Sequence, residues 1–190
     1  MLFRSSLSDL IAFAKANPDK LNYGSAGIGS TQHLGAEMLK LKANISLTHV
    51  PYAGNAPALT DLLSGQVEMM FVELGTALPH YAAGTLRPLG VGSAKRVDAL
   101  PEVPAINETV PGVVTDSWMA IAAPPGTPAP IARKLATAFQ EMLREPDVVQ
   151  KLKELVTVPI GGSPEEMTAL VREDSARWGE IVRATKARAQ

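Results

Sequence analysis

The chain of 190 residues contains no cysteine. That absence excludes disulfide staples, thiol nucleophiles and cysteine-bound zinc, and leaves the redox compartment open. An excess of one charge is missing too: 18 basic residues face 19 acidic ones, and no basic cluster is larger than Lys95-Arg96. Without a basic stripe the electrostatic footprint of a nucleic-acid binder is missing, so nucleic acid is not expected as a partner. No apolar run approaches the roughly 20 residues that span a bilayer. Met1-Leu-Phe-Arg4 lacks the apolar core and cleavage site of a secretory signal. Aromatic residues are scarce, at 5%, whereas 46% of the chain is hydrophobic, which is enough for one large domain or two small lobes.

What the chain does contain is a glycine-rich turn, Tyr23-Gly-Ser-Ala-Gly-Ile-Gly-Ser-Thr-Gln-His33, between a short apolar run and an amphipathic pattern. Gly24, Gly27 and Gly29 permit positive φ and close approach, and Ser30 or Thr31 can cap a helix whose free N–H groups favour an anion. Taken alone, the loop reads as a tight strand-to-helix turn chosen for steric reasons. It is neither a dinucleotide fingerprint, since Gln32 stands where a third glycine belongs, nor a P-loop, since no Gly-Lys-Ser/Thr follows.

Around this turn the pattern alternates. Ser6-Leu-Ser-Asp9 opens a helix through Ala16, with Leu7, Ile11 and Ala14 on one face and Asn17-Pro18 as its stop. Strands are expected at 21–25, 47–50, 67–72 and 86–93. Helices are expected from Thr31, with Leu34, Met38 and Leu41 inward, over 55–64 and over 76–83. Such alternation implies a mostly parallel sheet covered by helices. Pro101, Pro104 and Pro111 break the stretch that follows, with at most a turn of helix near 105–108. Val113 to Ala123 reads as an extended crossing strand. A helix then starts at Thr127 and Pro128, with Ile131, Leu135, Ala138 and Met142 on its apolar face. Another follows Pro146, using Val148, Val149, Leu152 and Leu155. Ser163-Pro-Glu-Glu166 caps a long terminal helix whose inner side is Met167, Leu170, Val171, Trp178, Ile181 and Val182. This second half offers helices without a sheet for them to cover.

Few residues nominate catalysis. His33, His49 and His80 lie in separate elements without metal-ligand spacing, and His49 reads as a structural histidine in a strand. Ser25 and Ser30 lack a nucleophile elbow and a nominated base. Glu68 and Glu73 fall on opposite faces if their strand is regular. Ligands of open α/β sheets bind beyond the carboxyl ends of strands, which draws attention to Ser25 to Thr31, Tyr52 to Asn55, Glu73 to Thr76 and Ser93. Tyr52 and Trp118 could add flat walls with polar tips.

His49-Val-Pro-Tyr-Ala-Gly-Asn-Ala-Pro-Ala-Leu-Thr-Asp-Leu-Leu-Ser-Gly-Gln-Val-Glu-Met-Met-Phe71, with Leu21-Asn-Tyr-Gly-Ser-Ala-Gly27, closely resembles the Bug family of extracytoplasmic solute receptors of tripartite tricarboxylate transporters. The likeness continues through Gly90 to Arg96, Leu100 to Pro104, Ser117-Trp118, Ala123 to Pro130 and Arg177-Trp178. It implies an α/β fold of the periplasmic-binding-protein type II kind, two lobes with a hinge. It also implies a periplasmic location and capture of a small organic carboxylate, a di- or tricarboxylate or an acidic amino acid, for delivery to membrane permease subunits. No catalysis, cofactor or metal is implied. Family members hold a ligand carboxylate largely through main-chain amides, so the resemblance nominates Ser25, Ala26, Gly27, Gly29, Ser30, Thr31 and His33, with Tyr52, Gly54, Asn55 and Glu73 lining the same cleft. Ala53 stands where lysine is common and Glu73 where aspartate is frequent. Against the family pattern, residues 5–96 correspond to a complete second lobe, 97–112 to a hinge, and 113–190 to the mostly helical C-terminal part of an incomplete first lobe. The chain is therefore expected to be truncated at its N-terminus. The alternative is a non-transport interaction protein that forms a homodimer through its uncovered first-lobe surface.

Overall fold

A computed structural model describes residues 6–185 and 187. Ser5, at one edge of the expected second lobe, and the residues beyond Thr185 other than Ala187 lie outside the described residues. The chain divides into two compact units. The first comprises residues up to Glu73, Ala77–Ser117 and the stretch from Glu180. The second comprises Leu74–Thr76 and Trp118–Gly179.

The first unit is built on a parallel sheet of β1 (Asn22–Ser25), β2 (Thr48–Pro51) and β3 (Met69–Met70), in the order β2-β1-β3. Helix α1 (Leu7–Ala16) precedes it, started by Ser6 Oγ accepting the Asp9 N–H at 3.1 Å, and buries Leu7, Leu10 and Ala14 one turn apart. Helix α2 (Thr31–Ala43) crosses from β1 to β2, and α3 (Asn55–Ser64) crosses back from β2 to β3. Leaving β1 the chain steps to one side, and leaving β2 it returns past β1, so strand order reverses at β1. In open α/β sheets, such a reversal marks the carboxyl ends of the strands, here β1 and β3, as the place where ligands bind.

Burial in α2 is broad. Gln32, His33, Gly35, Ala36, Glu37, Met38, Leu39 and Ala43 are all covered, while Leu41, expected inward, is exposed. The helix is clamped closely because Gly35 has no Cβ: one would sit 3.3 Å from both the Phe71 ring and the Thr115 methyl group. The strand expected at 67–72 pairs only over Met69–Met70, so its alternation does not reach Glu73, which is instead the N-cap of α4 (Leu74–Ala82). The strand expected at 86–93 does not form. A single parallel bridge joins Val91 to Ala105, next to the short α5 (Ile106–Thr109), and Thr115 N–H donates to the Gly92 carbonyl at 2.7 Å. Each neighbour reaches this segment at one point, which leaves too little for a ladder.

The second unit contains α6 (Ala129–Met142), α7 (Pro146–Glu154) and most of α8 (Pro164–Thr185). Pro128, one residue later than expected, is the N-cap of α6, and the Thr127 hydroxyl donates instead to the Pro124 carbonyl at 2.8 Å. The expected box at α8 forms in full: Ser163 N–H donates to Glu166 Oε2 at 2.7 Å and Glu166 N–H to Ser163 Oγ at 3.1 Å. Neither α6 nor α7 has a buried residue. Ile131, Leu135 and Met142, expected on a packed face, are exposed, as is Val171 of α8. The extended segments carry the most exposed apolar side chains, Met119 at 92% and Val158 at 81%. Val113 to Ala123 forms no strand.

Gly75 fixes one contact of this unit. A Cβ there would lie 2.7 Å from the Leu155 carbonyl oxygen, a backbone atom that cannot rotate away. Gly75→Ala is expected to lower stability by about 1–3 kcal/mol, the usual cost of overpacking, as measured by urea denaturation. A variant as stable as the parent would show that this contact gives way freely.

Candidate functional site

The loop after β1 is organised by Ser25. This fully buried residue ends the strand, and its Oγ accepts the Gly27 N–H at 3.1 Å while lying 2.6 Å from His49 Nε2. Parallel register places Tyr23 beside His49, and their rings stack with centroids 4.8 Å apart. His33 enters from the first turn of α2 and stacks on the other face of this group, 4.2 Å from His49. The three rings thus form a pile under the loop.

Two of the loop glycines therefore have their amides committed inward. Gly27 N–H goes to Ser25, and Gly29 N–H donates to His33 Nδ1 at 3.0 Å. A backbone N–H can only donate, so Nδ1 of His33 carries no proton. Gly27 and Gly29 both have positive φ, 119° and 84°, as this reversal requires. Ser30, not Thr31, is the N-cap: its Oγ accepts the His33 N–H at 3.3 Å and donates to the Gly27 carbonyl at 2.7 Å. Among the described residues, the amides of Ala26, Ile28, Thr31 and Gln32 have no hydrogen-bond partner. These are the donors left for an anion at the start of α2.

Tyr52 extends the ladder by donating its N–H to the Ser25 carbonyl at 3.0 Å, and its hydroxyl donates to Asp61 at 2.8 Å. Its role is to fasten α3 to the sheet end. Gly54, with φ 125°, is the N-cap of α3 and supplies no side-chain cap. Asn55 and Glu73 meet: Asn55 Nδ2 donates to Glu73 Oε2 at 2.9 Å, and Gln32 Nε2 donates to Glu73 Oε1 at 2.8 Å. The carboxylate is thus pinned between the first turns of α2 and α3. Gln32 is the participant that sequence reasoning passed over, and His49 was read only as a structural histidine of its strand. Only the parallel register, invisible without the fold, puts His49 against Ser25. Trp118 belongs to the second unit, where its indole N–H donates to Asp174 at 2.5 Å.

Below the rings lies a buried ionic group. The Tyr23 hydroxyl donates to Glu37 Oε1 at 2.7 Å, and Lys40 Nζ reaches the same oxygen at 2.6 Å. Burial, followed by the hydrogen bond to Glu37, raises the Tyr23 pKa far above its ordinary value, so the phenol stays a donor. Burial pushes the His33 pKa down. His49 is pushed down to about 4, first by burial and then by the neighbouring His33. Although Ser25 and His49 are close enough for a nucleophile and base, Ser25 is sealed from solvent and its oxygen is already spent on the loop amide. The pair shapes the turn. Among the described residues no group of three or more metal-ligating side chains converges, and no helix is long and apolar enough to cross a membrane.

A histidine held neutral by the fold binds fewer protons folded than unfolded, so stability rises with pH. The contribution of His49 is complete above about pH 6.5, its unfolded value, and is lost as pH falls toward 4. Thermal melts of the parent and of His49→Phe between pH 7.5 and 4 should show the parent losing more stability than the variant. Parallel curves would remove His49 as the source.

Residues 4–186 match the tripartite tricarboxylate transporter family receptor. The chain is 32% identical over 184 residues to the protein BugT of Bordetella pertussis, covering 96% of this chain and 56% of that protein. It superimposes on the R. palustris protein Rpa4515 with adipate at a TM-score of 0.87 and 39% identity, covering 95% of this chain and 61% of that one. With MatC from Rhodopseudomonas palustris, which has bound malate, the TM-score is 0.82 and identity 31%, over 94% of this chain and 62% of that one. The chain spans about half the length of the curated relatives it matches. Its α/β fold, with the parallel sheet and its reversal at β1, is of the periplasmic-binding-protein kind that those structures share. Over residues 4–186 the chain belongs to the tripartite tricarboxylate transporter receptor family, the group that includes the Bug proteins.

Proposed function

We propose that the chain acts, whole or as part of a longer receptor, in capturing a small organic carboxylate in the periplasm for the permease subunits of a tripartite transporter, without catalysis, cofactor or metal. One observation carries the reading: the amides of Ala26, Ile28, Thr31 and Gln32, at the loop after β1 and the first turn of α2, have no partner among the described residues. A carboxylate there accepts main-chain N–H bonds and lies on the positive end of α2. Gly27 keeps its place because its φ of 119° is one that residues with a Cβ rarely adopt. The adipate and malate held by the two R. palustris structures support a ligand of this class. Tight binding in this reading requires donors from a second lobe.

Adipate and malate titrations of the folded chain, followed by amide chemical shifts, should move Ile28 and Thr31 first. Gly27→Val should weaken binding at least about tenfold, because φ 119° opposes a β-branched side chain and the loop must shift. Unmoved loop amides at saturating ligand would refute the receptor reading for this chain.

A second reading rests on the exposed apolar side chains of the second unit, among them Met119, Ile121, Val158 and Ile160. Large apolar side chains are stabilised by about 1.5–3 kcal/mol each on full burial, so a second copy of the chain could be held through them. Sedimentation over a dilution series would then reveal a dimer that Met119→Asp and Val158→Asp dissociate. A monomer at every concentration would dismiss this reading.

A further inference from the structure

Glu73 is exposed, yet both of its carboxylate oxygens are held by side-chain amides from two other elements. Gln32, which donates to Oε1, is buried and belongs to the same first turn of α2 that offers the free amides of Thr31 and Gln32. Asn55, which donates to Oε2, is the first residue of α3. Its orientation is fixed by chemistry, because turning the amide over would set Oδ1 against a carboxylate oxygen. With Nδ2 spent on Glu73, Asn55 Oδ1 is buried without a partner among the described residues and is not open to a ligand. The strand ends therefore bring together main-chain donors at the start of α2 and a fixed negative charge one side chain away.

We propose that Glu73 sets the ligand class of this site, favouring carboxylates that carry an ammonium or hydroxyl group next to a carboxylate over the plain dicarboxylate of the same length. The inference rests on the receptor reading above. A carboxylate seated on the first turn of α2 lies one glutamine side chain away from the Glu73 carboxylate. A second anionic group directed toward Glu73 is repelled, whereas an N–H or O–H directed there meets an acceptor. The pinning matters, since a free glutamate would swing into solvent and a pinned one does not. Gln32 and Asn55 are positioning residues, and Glu73 is the group that meets the ligand.

Succinate, malate and aspartate share one four-carbon dicarboxylate skeleton and differ only in hydrogen, hydroxyl or ammonium at the second carbon. Titrated into the full chain and followed by amide shifts, malate and aspartate should bind at least about tenfold more tightly than succinate. In Glu73→Gln, which keeps size, removes the charge and requires one partner amide to turn over to meet the new NH2 group, that ratio should fall toward one, with succinate gaining. Equal binding of all three by the parent chain, or a ratio unchanged in Glu73→Gln, overturns the proposal while leaving the receptor reading intact. Loop amides that respond to none of the three refute the receptor reading itself, and this proposal with it. Should Glu73→Gln fail to fold, the parent suffices: the side-chain amide signals of Gln32 and Asn55 should move with aspartate and stay fixed with succinate, and the opposite pattern overturns the assignment.

Discussion

The burial of β1 between two parallel neighbours is the constraint from which the rest of the first unit follows. A central strand has both edges bonded, so its direction and register are set on each side, and Tyr23 and Ser25 have no freedom to choose their surroundings. Register brings His49 to Tyr23. The strand's end brings Ser25 to His49, and Ser25 in turn curls the chain back through Gly27 to Ser30. The loop is thus a continuation of the sheet's hydrogen-bonding order, held from beneath by stacked rings.

That arrangement divides the loop's donors into two sets. Amides pointing down, at Gly27 and Gly29, are satisfied by side chains from β1 and α2. Those of Ala26 and Ile28, together with the first turn of α2, have no partner among the described residues. In the receptor reading proposed above, preorganisation of this kind would favour an incoming anion because no donor has to be reoriented on binding. The buried Glu37 with its Tyr23 and Lys40 partners belongs to the same economy: the negative charge is matched below the rings and leaves the loop's positive end unopposed.

Local signals were legible where local chemistry decides the outcome. The α1 cap at Ser6, the limits of α3, the start of α7 and the α8 capping box were all readable because caps and turn residues act within four positions. The glycine loop was legible as a place, but not in its hydrogen bonds, since Gly27 and Gly29 cannot announce that their amides are spent on Ser25 and His33. Long-range pairing was the blind spot. An apolar run at 86–93 looks like a strand whether or not a partner lies alongside, and here a single bridge at Val91 and one bond at Gly92 are what it finds among the described residues. His49 was read as structural, and the structure does make it so, but its contact with Ser25 depends on a register that no single segment encodes. The apolar faces of α6 were correctly periodic, yet periodicity says nothing about whether a covering surface is present.

The lack of any buried residue in α6 and α7 also bears on motion. Opening a helix costs the backbone bonds it breaks and the apolar contacts it gives up, and here the second contribution is small. Their amides should exchange hydrogen for deuterium through frequent local unfolding, long before those of β1 and the buried face of α2 do so. The molecule thus pairs a slowly exchanging cradle with a labile helical layer.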